Sequence, residues 1–359
     1  MKQYKILVTG ACGVTSRSVV RALNDSAYFQ GKCEFIGTDV CYNEYGIYEG
    51  LYKRVYKVPP FNAPEYRSMI EQIIKRHDIE YAVVIPEPEV LYWCENPFDV
   101  KFMSIPPAFA RRVLSKKSLY DALKNTGLVP QYEIQDRETL LSSDQPTQLE
   151  YPVWIRDFAE GTTSGKGSFL ASDESELKAW ILINKGIDNF MISEYLPGRN
   201  LACFLLFADG ALIKYGVAER MEYVMGKVAV SGITGNTSKG KLLNYDRAYE
   251  IALEAVSNVS QQVHARMNGL VVVDMRENAE GEPMVTEINI RHVAFTSSFA
   301  LGGLNFSEAQ MLILSGQSNL VTKEKTLTFP EDNIILRDVD GLPIYIENYK
   351  QLEMGDFRE

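Results

Sequence analysis

Basic charge is in short supply in this chain. Its 37 lysines and arginines face 47 aspartates and glutamates, a net charge of −10. Nucleic-acid binding, which depends on a basic surface, is not expected. Long apolar runs are missing too: stretches such as 81–86 and 201–208 fall far short of the ~20 residues that span a bilayer. Histidine is scarce, with three in 359 residues, and none of the five cysteines (Cys12, Cys33, Cys41, Cys94, Cys203) forms a CxxC pair. Scattered thiols in odd number read as reduced, those of a cytoplasmic protein, and a zinc site is not expected. The opening MKQYKILVTGACG enters a strand pattern at once, so no signal peptide is expected. Repeats and low-complexity tracts are absent. What is there is an ordinary globular balance, 46% hydrophobic and 23% charged, in a chain long enough for two or three domains.

Residues 5–9 (KILVT) form a buried-strand pattern, followed by Gly10-Ala-Cys-Gly13 and a helix over 15–23 with Val19, Val20 and Leu23 on its stripe. A strand over 34–39, a helix over 66–76 and a strand over 81–85 come next, the last ending in Pro86-Glu87-Pro88-Glu89. Continuously apolar strands alternating with helices predict an α/β domain with a doubly wound parallel sheet, at residues 1–110. A helix over 116–125 is stopped by Gly127 and Pro130. The chain then turns β-rich, with strands over 153–158, 168–171, 191–195 and 201–207 and a helix over 174–183. Asp209-Gly210 closes a hairpin onto 212–216. An amphipathic helix over 246–267, a helix near 305–314 and two short strand patterns around Asp340-Gly341 complete the chain.

The most informative stretch is 270–291, LVVVDMRENAEGEPMVTEINIR. It alternates with period two on both sides of Glu280-Gly281, predicting a hairpin with a two-residue loop. Val271, Val273, Met275, Met284, Thr286, Ile288 and Ile290 then share one face. Asp274, Arg276, Glu287, Asn289 and Arg291 share the other. This register sets Asp274 across from Glu287, with Cβ atoms roughly 4.5–5.5 Å apart. Like charges at that distance destabilise a sheet unless a cation lies between them. With the Asn289 amide oxygen they form a hard-oxygen set suited to Mg²⁺ (Mn²⁺ is the alternative), which takes further ligands from water and nucleotide phosphates. The competing reading is an exposed polar sheet face neutralised by Arg276 and Arg291.

Other motifs are weaker alone. Gly10-x-x-Gly13 opens like a dinucleotide fingerprint, and Asp39 ends the second strand where a ribose-binding acid often stands. Ser16 holds the third glycine position, however, and close strand–helix packing explains the small residues better. Residues 160–168, EGTTSGKGS, make a glycine-rich loop between strands; its spacing is not that of a P-loop. Lys116 and Arg156 read as surface cations unless the fold gathers them at one anion. ISEYLPGRN, 192–200, passes from a strand into a Pro-Gly turn.

Taken in order, these segments resemble the ATP-grasp superfamily, in particular the branch holding the carbamoyl-phosphate synthetase large subunit and biotin carboxylase. The likeness runs over residues 5–305: GACGVTSRSV, SKKSLYDALKNTGLVP, YPVWIRDFAEGTTSGKGS, ISEYLPGRN and VVVDMREN…VTEINIR. It implies a doubly wound pre-ATP-grasp domain (1–110), a connecting helix (111–128) and a two-lobed α+β ATP-grasp fold. The small lid lobe would be 129–192, and the large lobe, with the metal site and C-terminal strands, 193–359. ATP would lie between the lobes. Lys116 and Arg156 would contact its phosphates, and Gly161, Ser164, Gly165, Lys166 and Gly167 would cover them. Glu194, Tyr195 and Leu196 would hold adenine, and Asn200 stands where members usually carry a ribose-binding acid. Asp274, Glu287 and Asn289 would carry the metal; Arg291, joined by Arg220, would steady an acyl phosphate. The implied activity is an ADP-forming ligase joining a small-molecule carboxylate to an amine, with a homodimer as the common assembly. Neither biotin carboxylation nor carbamoyl-phosphate synthesis is expected: nothing matches a biotin-carrier site, and 359 residues cannot hold the synthetase's duplicated halves. The alternatives are a nucleotide-binding sensor or partner subunit without ligase activity, which Asn200 favours, and an NAD-dependent oxidoreductase.

Overall fold

Apolar runs without alternation become strands buried on both faces. In the computed structural model, β1 (Tyr4–Thr9), β2 (Cys33–Asp39), β3 (Arg54–Lys57) and β4 (Tyr81–Val83) lie in the order β3-β2-β1-β4, all parallel. The structure describes residues 3–41, 43–158, 167–230, 232, 235–321, 327–338, 343–346 and 349–358. Helices Val14–Asn24, Tyr66–His77 and Glu87–Glu95 link and cover this sheet. β3 escapes sequence reading because RVYK is four residues long and half charged; only Val55 and Tyr56 are buried.

The next sheet is antiparallel, order β5-β8-β6-β7, built from β5 (Tyr132–Asp136), β6 (Val153–Asp157), β7 (Phe169–Ala171) and β8 (Asn189–Glu194). Alternating residues such as Val153, Ile155, Phe190 and Ile192 meet Leu177 and Ile181 of the helix Glu174–Ile183 in a separate small core. Asp173 caps that helix by accepting from the Glu176 amide at 2.9 Å.

The largest sheet has the order β13-β12-β9-β10-β11-β14. Its strands are β9 (Asn200–Ala208), β10 (Ala211–Tyr223), β11 (Thr237–Leu243), β12 (Gly269–Glu277), β13 (Pro283–Asn289) and β14 (Ile335–Leu336). Asp209 and Gly210 both take positive φ, 50° and 82°, as the tight β9–β10 turn requires. Leu201, Cys203, Leu205, Val271 and Val273 join one core with helices Pro107–Leu114, Lys116–Leu123 and Asp246–Gln262. Ala202, Phe204, Leu206 and Val272, on the opposite face, join helices Thr296–Leu301 and Phe306–Leu314 and the first domain. Ser297 there donates its amide to Ser18 Oγ at 2.8 Å, and Asn305 Nδ2 donates to Ala22 O at 2.6 Å. No helix among the described residues is long and apolar enough to cross a membrane.

Two expectations are corrected. The helix predicted to reach 267 stops at Gln262, because His264 adopts a left-handed φ of 50° and the Ala265 amide bonds back to Ser260 O at 2.8 Å. The tail does not all belong with the large lobe: after β14, β15 (Phe357–Arg358) pairs antiparallel with the edge strand β3 of the first sheet. Its Phe357 ring lies 4.5 Å from the Arg54 guanidinium and 5.2 Å from the Tyr56 ring. Residues 339–342, where a strand turn was expected, lie outside the described residues.

Candidate functional site

β12 and β13 pair with Asp274 opposite Glu287 and Val272 opposite Asn289. The turn that achieves this is not the expected two-residue loop. Asn278 anchors a longer one: its N–H donates to Glu282 O at 2.9 Å, and its Oδ1 accepts from the amides of Glu280 and Glu282 at 3.1 and 2.9 Å. Beyond the turn Met275 faces Val285, and a bulge at Thr286 restores the register before Glu287. The two departures cancel at the acidic pair but not between it and the turn. Val285, rather than Met284 and Thr286, enters the core. Thr286 instead donates its hydroxyl to Asp274 O at 3.1 Å.

Alternation then carries one face across four strands. Asp274 sits beside Ala202, Arg276 beside Asn200, and Ala202 beside Ala218, two residues before Arg220. Asn200, Arg220, Asp274, Glu287 and Asn289 therefore share the face whose other end is sealed by Phe204 and Val272. The Asp274 and Arg220 side chains are each 15% exposed and Asn289 is buried, so this is not a solvated polar surface. Arg276, the expected neutraliser, lies over the Tyr195 ring at 5.6 Å.

Charges here are tightly interlocked. Arg220 Nη2 is 2.6 Å from Asp274 Oδ1, and Asn289 Nδ2 donates to Asp274 Oδ2 at 3.3 Å. Arg291 Nε is 3.7 Å from Glu87 Oε1. Burial pushes the Glu87 carboxyl up from its ordinary value; Arg291 opposes this, and Glu287 and Asp274 add to it. Lys116, at the start of a helix capped by Ser115, is pushed down by burial and then by Arg156, with Glu287 pulling the other way. Arg156 projects from β6, its guanidinium 5.2 Å from the Tyr120 ring and Nη2 3.2 Å from Met191 Sδ.

Two of the cavities that reach this cluster share a wall. One of about 160 Å³ opens between the four- and six-stranded sheets and is lined by Lys116, Arg156, Glu194, Tyr195, Leu196 and Asn200. The other, about 290 Å³, lies toward the first domain and is lined by Glu87, Asn289, Arg291 and Arg337. Arg220, Tyr223, Asp274 and Glu287 line both, forming a shared wall. Gly167 lines neither. Its φ of 72° and the 2.9 Å that would separate a Cβ from Ile187 Cδ1 assign it to the loop's base, where its carbonyl accepts from Trp180 Nε1. Gly161, Ser164, Gly165 and Lys166 lie outside the described residues.

Sequence reading missed Glu87, Tyr223 and Arg337. Glu87 had a signal: it follows β4, and open parallel sheets bind ligands beyond the carboxyl ends of their strands. Tyr223 and Arg337 had none, since only β10's full length and the returning tail bring them here. Cys12 and the distant pair Asp39 and Cys41 have ligand atoms within 4.8 Å of one another. The Asp39 carboxylate there accepts from the amides of Cys12 and Cys41, at 2.9 and 2.6 Å, which accounts for the cluster as a clamp on the 10–13 turn.

The three sheets and the cleft between two of them define a class of fold. No protein-family model matches the chain. No curated protein sequence matches it either. Solved structures do. L-amino acid ligase from Bacillus licheniformis is 13% identical with a TM-score of 0.60, over 88% of this chain and 76% of that one. N5-carboxyaminoimidazole synthetase from Staphylococcus aureus, complexed with ADP, is 14% identical with a TM-score of 0.63, over 94% and 81%. D-alanine–D-alanine ligase from Bacillus anthracis, complexed with ATP, is 14% identical with a TM-score of 0.54, over 90% and 99%. At such identities the likeness shows the fold, and that fold is ATP-grasp.

Proposed function

We propose that this protein is an ADP-forming ligase that activates a small-molecule carboxylate with ATP and passes it to an amine. The observation that carries the reading is the wall of Arg220, Asp274 and Glu287 common to two cavities. A triphosphate entering from the lobe cleft and a carboxylate entering from the first-domain side would meet there. The similar structures that hold ATP or ADP support the nucleotide half of the reading.

In this reading the adenine lies against Glu194, Tyr195 and Leu196, and Asn200 is near the ribose. Lys116 and Arg156 neutralise phosphate charge. Two carboxylates and an amide at one sheet position fit a hard cation, so Asp274, Glu287 and Asn289 would hold Mg²⁺, which offsets charge on the phosphoryl group in transfer. Arg220, paired with Asp274 here, would then be released toward the substrate side. The substrate carboxylate attacks the γ-phosphorus, ADP leaves, and an acyl phosphate forms. Arg291, held by Glu87, steadies that intermediate. The amine then displaces phosphate from the acyl carbon and loses a proton.

The test is a screen of carboxylate and amine pairs for ADP release, with mass spectrometry of the product. Release that requires both partners and yields an amide is the expected result. The alternative, a nucleotide-binding protein without ligase activity, has Asn200 in its favour; it predicts ATP binding with no ADP release from any pair.

A further inference from the structure

We infer that the cavity on the first-domain side binds a substrate carrying a second anionic group, distal to the reacting carboxylate, and that Arg337 holds that group. This inference deepens the ligase reading and rests on it.

Arg337 reaches the site from far along the chain. β14 pairs with the edge of β11, Ile335 opposite Gly240 and Leu336 opposite Lys239. The Arg337 amide then donates to Ser238 O at 2.8 Å and its Nη1 to Thr237 O at 3.0 Å. Those two bonds fix the guanidinium on the cavity wall, 6.0 Å from the Phe295 ring. Its other nitrogens have no acidic partner among the described residues. Arg220 and Arg21 are the charged groups that act on it, and both, together with burial, push its pKa down. A guanidinium held in a partly dry site among like charges is costly unless an anion arrives.

The other charges of the wall are already committed. Arg220 pairs with Asp274 in this structure and, once released by a metal, would turn to the acyl phosphate beside Arg291, which Glu87 holds. Glu287 stands opposite Asp274 and belongs to the metal set. Among the described residues of this wall Arg337 is the cation left over, carried by the chain after β14 and not by the strands that hold Asp274 and Glu287. A space of about 290 Å³ lies at the small end of ligand pockets and has room for a compact acid. The planar fork of Arg recognises carboxylate and phosphate alike through paired N–H bonds. The substrate class is therefore a small dicarboxylate or phospho-acid.

The test measures probe binding to the intact protein saturated with Mg²⁺ and a non-hydrolysable ATP analogue. The acidic probes are L-glutamate, succinate and O-phospho-L-serine; L-glutamine and butyrate are the neutral-ended controls. At least one acidic probe should bind ten-fold or more tighter than its control, and the dicarboxylate and phosphate arms tell which anion is preferred. Arg337→Gln should remove that preference, Arg337→Lys should restore part of it, and neither should change affinity for the nucleotide analogue or the melting temperature. Equal binding of acidic and neutral probes, no response to any acidic probe, or a preference that survives Arg337→Gln would overturn the inference. Failure of the nucleotide analogue to bind would instead remove the ligase reading, and the same probes without nucleotide would still test Arg337.

Discussion

Glu287 and Asp274 are two like charges held opposite each other in a largely buried strand pair. Such a pair persists because a cation relieves it, and in this structure Arg220 does so. If a divalent ion shares that duty in the working protein, removing one carboxylate costs transition-state stabilisation rather than fold. We expect Glu287→Gln to lower ADP release on the order of 10²-fold or more with little change in melting temperature. Unchanged turnover with the substrate pair found in the screen would sink this role. The acidic pair was legible because strand alternation and its spacing are local properties. Arg220 as its partner was not, since 54 residues separate it from Asp274. His292 is a further residue-scale case. It is fully enclosed, Nε2 at 2.7 Å from Gln310 Oε1 and Nδ1 at 3.2 Å from Thr296 Oγ1, and burial pushes its pKa down to about 4. Unfolded, it would titrate near ~6.5. Between those values the unfolded chain binds the extra proton, so stability is full above pH 6.5 and drains as the pH falls toward 4. The loss is about 3 kcal/mol. Urea midpoints at pH 7, 5.5 and 4.5 should follow that slope, and His292→Gln should flatten it.

At the scale of single elements, turn chemistry decides where the site stands. The Pro-Gly turn before β9 lies against the end of β12. Gly198 N donates to Glu277 O at 3.0 Å, and Arg199 bonds the Glu277 carboxylate through its amide and guanidinium at 3.1, 2.9 and 2.6 Å. A Cβ on residue 198 would come within 2.5 Å of Glu277 Cβ and 3.0 Å of Glu277 O. Gly198→Ala must therefore part the turn from β12, costing about 1–3 kcal/mol as other overpacked sites do. It should also shift Asn200 and weaken nucleotide binding. Denaturant titration and calorimetry with Mg-ATP check both, and an unperturbed Ala variant would remove the turn from the site's architecture. The turn itself was legible in ISEYLPGRN. Its clamp to Glu277 was not, because ion pairs between distant strands leave no local pattern. The β12–β13 hairpin makes the same point in reverse: its register at Asp274 was read correctly from a loop that is wrong, and the bulge at Thr286 reconciles them.

Across the whole molecule the arrangement of cores predicts what moves. Val8, Val19, Val20 and Leu23 of the first domain share one continuous core with Phe204, Phe299 and Phe306 beside the large sheet. Those parts should open together. The four-stranded sheet has its own core around Leu140, Val153, Leu177 and Ile192, with Met191 of β8 in the core of the large sheet, and should open as a separate unit. Alternation and helix signals made each core's residues legible, but which cores merge depends on docking that no short window contains. The tail is the clearest instance, with Phe357 closing the edge of a sheet begun more than 300 residues earlier. Hydrogen exchange followed by mass spectrometry separates the units. Leu177→Ala, at a fully buried site, should cost about 2–5 kcal/mol and raise exchange in β5 to β8 while leaving β1 and β9 protected. Phe299→Ala removes a ring 4.6 Å from Phe204 and 5.4 Å from Phe306, at a cost of about 3–5 kcal/mol. It should loosen β1, β2, β9 and β12 together and spare the small lobe. If Leu177→Ala instead loosens the whole chain to one extent, the four-stranded sheet is not an independent unit.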